Sequence, residues 1–110
     1  MTRGTTPTCI FRVKKQGLDL SQYTNYITFS QKDGMELTLT GDSVVASYDT
    51  ETELTTLTVY MTQEQTLAFD SKKDAEVQLR SINVEGVALA SKIVAVPVNR
   101  ILLNGVISYA

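Results

Sequence analysis

The residue types that carry most enzyme chemistry are scarce in this chain. It contains no His, which removes the usual general base near neutral pH and the commonest metal ligand. Ser–His and Cys–His nucleophile pairs are therefore impossible. Cys9 is the only cysteine, so neither an intrachain disulfide nor a thiolate metal cage can form. It sits in an alternating apolar pattern, where a small buried hydrophobe is expected. The six glycines fall singly, with no phosphate-cradling motif. The densest carboxylates are Asp49, Glu51 and Glu53, whose alternate spacing could ligate calcium. A calcium loop brings more oxygen ligands and a Gly at its sharp turn, so a solvated hairpin tip is expected instead. The run Asp70-Ser71-Lys72-Lys73-Asp74 reads as a solvent-facing loop. No catalytic, cofactor or metal site is expected, and the chain is read as a non-enzyme.

Binding chemistry is better represented. Arg12, Lys14 and Lys15 are the nearest approach to a basic stripe. The chain carries ten basic and twelve acidic residues, a formal net charge of −2. Nucleic-acid binders draw much of their affinity from neutralising phosphates, so nucleic acid is not an expected partner. The three cations read as the solvated face of a first strand. Tyr26 and Tyr60 point outward on the expected strand phases, and an exposed aromatic pair could stack on a sugar or a protein. The segment Ile101, Leu102, Leu103, Val106 and Ile107 is too apolar to stay in water. Either it packs on its own domain or it meets a neighbour, where such a patch marks an interface.

The elements that must position these groups follow from period-two alternation, the mark of a half-buried strand. Cys9, Phe11 and Val13 alternate with Ile10, Arg12 and Lys14. Leu18 and Leu20 then plug one end of the core. Ile27 and Phe29 point inward on a second strand, and Asp33-Gly34 is a hairpin signal. Met35, Leu37 and Leu39 face inward on the third strand. Residues 44–48 form a fourth, and Leu57, Val59 and Met61 carry the inner face of a fifth. Thr62 and Gln65 fit a capping box, so a helical turn near 62–68 should carry the chain between sheets and drop Leu67 into the core. Ala75, Val77 and Leu79 supply a sixth strand. Glu85-Gly86 turns into a last strand over 89–98, apolar enough to be buried on both faces.

At 110 residues one core is feasible without staples. About seven short strands separated by turn chemistry predict an all-β, single-domain antiparallel sandwich of immunoglobulin type, with a small closed barrel as the rival. The expected parts are a flexible amino-terminal arm over 1–7, the sandwich over 8–98 and an apolar tail over 99–110. The first 20 residues lack a signal-peptide stretch, and no segment reaches the roughly 18–20 apolar residues of a membrane span.

Certain stretches also resemble known proteins. Residues 2–8, the run from Leu57 to Phe69, residues 76–80 and 89–94, and the closing Val96 to Ile107 look like small uncharacterised proteins of phages and prophages of gut Firmicutes. The layout is similar to the amino-terminal β-sandwich of phage baseplate upper proteins, which bridge a baseplate core and receptor-binding tips. These resemblances imply a virion structural or accessory protein, of tail or baseplate. It would be made in the host cytoplasm and act through contacts with other virion subunits or itself. A capsid decoration protein and a carbohydrate-binding adhesin-like module are the alternatives.

Overall fold

A computed structural model describes residues 1–109. Eight strands and one short helix follow in the order β1 (Thr8–Lys14), β2 (Thr24–Ser30), β3 (Glu36–Leu39), β4 (Val44–Asp49), β5 (Leu54–Tyr60), α1 (Gln63–Leu67), β6 (Ala75–Ile82), β7 (Ala88–Ala90) and β8 (Val94–Val96). They form two antiparallel sheets, one ordered β1-β5-β4, the other β3-β2-β6 with β7 and β8 both on the far side of β6. The fold is an all-β sandwich. Its connectivity matches the immunoglobulin arrangement from the second strand onward: β1, β5 and β4 take the B, E and D positions, and β2 and β6 those of C and F.

Alternation placed the inner faces correctly. Ile27 and Phe29, Leu57 and Val59, and Ala75, Val77 and Leu79 all lie in the core. Phe29 meets Phe69 edge-on, with ring centroids 5.9 Å apart, a favoured aromatic geometry. The buried Gln31 amide fastens the β2–β3 hairpin to the loop before β6. Its nitrogen donates to the carbonyls of Asp70 (2.8 Å) and Lys73 (3.0 Å), and its oxygen accepts from the Asp70 N–H (2.8 Å). Each backbone group thereby finds the partner that burial demands.

The β2–β3 turn forms at Asp33-Gly34 as expected, with Asp33 left-handed (φ 55°), a region Asp tolerates through its short polar side chain. Two expectations need correction. In α1 the capping box is present, but the buried residue is Thr66 while Leu67 is half-exposed. A five-residue helix turns only one face inward, and the Thr66 hydroxyl is satisfied by the carbonyls of Thr5 (2.8 Å) and Gln63 (3.1 Å).

The expected last strand is two strands, because Gln78 and Leu79 of β6 face three residues, 91–93, across the pair. That β-bulge shifts the alternation by one. Leu89 faces inward before it, and Val94 and Val96 after it. Both phases of the sequence therefore look apolar although the strand is an exposed edge. The Ser91 hydroxyl repairs the ladder by accepting from the Leu79 N–H at 3.0 Å.

The described residues hold eight strands, the expected last one counting as two, and residues 1–3 pair with Asn99. The Met1 carbonyl accepts from Asn99 N–H at 2.7 Å, Arg3 N–H donates to the Asn99 carbonyl at 3.1 Å, and Thr2 bridges Asn99 in parallel.

Candidate interaction surface

The carboxy-terminal segment is held to the domain by its backbone while most of its side chains face out. Arg3 reaches across it, donating through Nη2 to the Leu67 carbonyl (2.9 Å) and through Nη1 to Asn104 Oδ1 (3.4 Å). Gln63 treats residue 107 as a strand neighbour: its Nε2 donates to the Ile107 carbonyl (3.0 Å) and its Oε1 accepts the Ile107 N–H (2.9 Å). Ile101 turns inward over Gly4, where a Cβ would lie only 2.8 Å from Ile101 Cδ1 and where φ is +73°. The left-handed backbone is what favours glycine there, since the end of the Ile101 side chain could shift aside. Leu102 and Leu103 remain 90% and 72% exposed, and Val106 and Ile107 are exposed as well. Of the five apolar tail residues, then, one packs back and four form an outward strip.

The two tyrosines are not a pair. Tyr26 lies opposite Arg80 in one sheet, and Tyr60 opposite Thr8 in the other. Each neighbours a buried inner-face residue, Ile27 and Val59, so they sit on opposite outer faces of the sandwich. Tyr26 lines a shallow hollow of about 460 Å³ with Glu36, Thr38 and Arg80.

At the β4–β5 tip the Asp49 carboxylate is engaged locally, Oδ1 accepting from the Glu51 N–H at 2.9 Å, and the turn ends on Glu53 at φ 55°. Among the described residues, no group of three or more His, Cys, Asp or Glu is arranged to hold a metal ion. Burial raises the Tyr48 phenol above its ordinary range, and the nearby carboxylates of Glu53, Asp19 and Asp49 raise it further. The end of β4 is thus an acidic environment. Among the described residues no helix is long and apolar enough to cross a membrane.

Sequence reasoning missed a second surface, the open side of the sandwich. β1 pairs only with β5; among the described residues nothing takes the place of an immunoglobulin A strand beside it. Its inner-face residues Cys9, Phe11 and Val13 are only half-buried. Across from them Val94, also an inner-face residue, is 47% exposed. Two clefts of about 160 and 170 Å³ run along this side, lined by Phe11, Val13, Leu20, Leu79, Leu89 and Val94. The signal for it was the cluster Arg12, Lys14 and Lys15, since lysines commonly guard an unpaired edge. Compared with known protein families and curated proteins, the chain matches no family model and no curated protein.

Proposed function

We propose that this chain is a non-enzymatic structural or accessory subunit of a phage particle, of the tail or baseplate, acting through protein–protein contacts. The observation that carries the protein-contact reading is the outward strip of Leu102, Leu103, Val106 and Ile107 on a backbone anchored at Asn99 and Ile107. An apolar strip ordered before it binds loses little conformational freedom on docking. Residues of this kind left in water are the usual mark of a contact surface. The phage setting rests on the sequence resemblance, which spans nearly the whole chain.

Quantitative mass spectrometry of gradient-purified particles tests the reading. The chain should be present at a fixed ratio to a known tail protein, and reproducible absence from particles defeats it. A fixed ratio to the major capsid protein instead would favour decoration of the head. The hollow around Tyr26, with polar Glu36, Thr38 and Arg80 beside an aromatic face, favours the adhesin-like alternative, for which glycan-array binding lost on Tyr26→Ala is the deciding result.

A further inference from the structure

The two edges of the three-stranded sheet carry opposite charge. On one side, β1 and the residue after it hold Arg12, Lys14 and Lys15 with no carboxylate; on the other, Asp42, Asp49, Glu51 and Glu53 lie along β4 and its flanking turns with no cation. Among the described residues neither edge strand has a strand partner other than β5; the turn Leu20–Gln22 packs near β4 without pairing with it. Such edges are templates for pairing with another chain.

We propose that a second copy of this chain lays its β4 edge along the open β1 edge of the first, so that the sheet continues from molecule to molecule. β1 and β4 both run antiparallel to β5 and are therefore parallel to each other, which makes the intermolecular pair parallel. The register within one molecule shows what would meet. Ile10 and Val45 share a row through Thr58, and Lys14 and Asp49 share a row through Leu54. A copy set alongside at the same level places Val45 of one against Ile10 of the other, and Asp49 against Lys14.

Both apolar members are exposed on the outer face now, Ile10 by 50% and Val45 by 48%. Charge also disfavours the symmetric solutions, which set a basic edge against a basic edge or an acidic edge against an acidic one. The head-to-tail pairing instead brings opposite charges together, a heterologous contact that closes into a ring or extends as a filament. The incoming copy would also cover the half-open clefts beside Phe11, Val13 and Val94.

Sedimentation of the purified full chain reads this directly. The apparent mass should exceed the monomer, rise with protein concentration, and fall between about 0.05 and 0.5 M salt as screening grows. Lys14→Glu should raise the dissociation constant about fivefold, and adding Asp49→Lys to the same chain should restore it. A second arm does not depend on those variants: in a Cys9→Ser background, chains with Ile10→Cys are mixed with chains carrying Val45→Cys under mild oxidation. Disulfide-linked dimers of unlike chains are expected. A folded monomer at every concentration, or linked dimers of like chains only, overturns the proposal. The pairing stands apart from the virion reading: a monomeric chain found in particles sinks only the pairing, and an associating chain absent from particles sinks only the virion role.

Discussion

Cys9 shows how a single side chain registers the open side of the sandwich. It faces inward on β1 but is only half-buried. Burial raises its thiol above the ordinary range, partly opposed by the positive amino group of Met1. Less thiolate is then present near neutral pH, and the thiolate is the reacting form. Alkylation by iodoacetamide at about pH 7.5 should be at least about threefold slower than for a free thiol and should accelerate as pH rises; a rate equal to the free thiol would contradict this. The linkage has a definite sign. A thiol whose folded pKa is raised contributes stability below its unfolded titration range and loses it as pH climbs through the folded pKa. The denaturation midpoint should accordingly fall more on the alkaline side for the natural chain than for Cys9→Ala. At this scale the sequence was partly legible: the inward rows Ile27 and Phe29, Leu57 and Val59 followed from alternation, as did the inward face of Cys9, whereas its expected burial is only half reached. The separation of Tyr26 from Tyr60 did not, because alternation says which face of a sheet a residue takes and not which sheet it belongs to.

α1 and the bulged edge mark the limits of legibility for elements. Thr62 and Gln65 announce the helix in sequence and cap it in the structure: Thr62 N–H donates to Gln65 Oε1 (2.9 Å) and Gln65 N–H to Thr62 Oγ1 (3.2 Å). Five residues do not form a stable helix alone, so the cap and the packing of Thr66 and Phe69 must hold it. Thr62→Ala should cost about 1 kcal/mol by urea denaturation, with an unchanged slope; a loss under about 0.3 kcal/mol would show that packing alone suffices. The β7–β8 bulge was illegible for a physical reason. An extra residue reverses the inward phase at 91–93, and a strand with apolar side chains in both phases looks like one buried on both faces. The amino-terminal contacts left no signal of this kind either: Met1 and Arg3 pair with the backbone of Asn99, and backbone pairing leaves no trace in side-chain type.

For the molecule as a whole, turn spacing and alternation were sufficient to predict a two-sheet sandwich, because one row of inward side chains per strand requires a facing layer to cover it. The open side was not predicted, since β1 alternates in the same way whether its inner face is fully or half covered. Two surfaces result: the apolar strip at the carboxy-terminal end and the charged edges of the three-stranded sheet. The first is central to the functional account. The most direct test compares particle-bound protein for the natural chain with that for a Leu102→Asp, Val106→Asp variant, whose altered side chains lie on the outside and whose melting should be unchanged. The account predicts that the variant, equally folded and expressed, is recovered from purified particles at least about tenfold less. Equal recovery of the two proteins would contradict it.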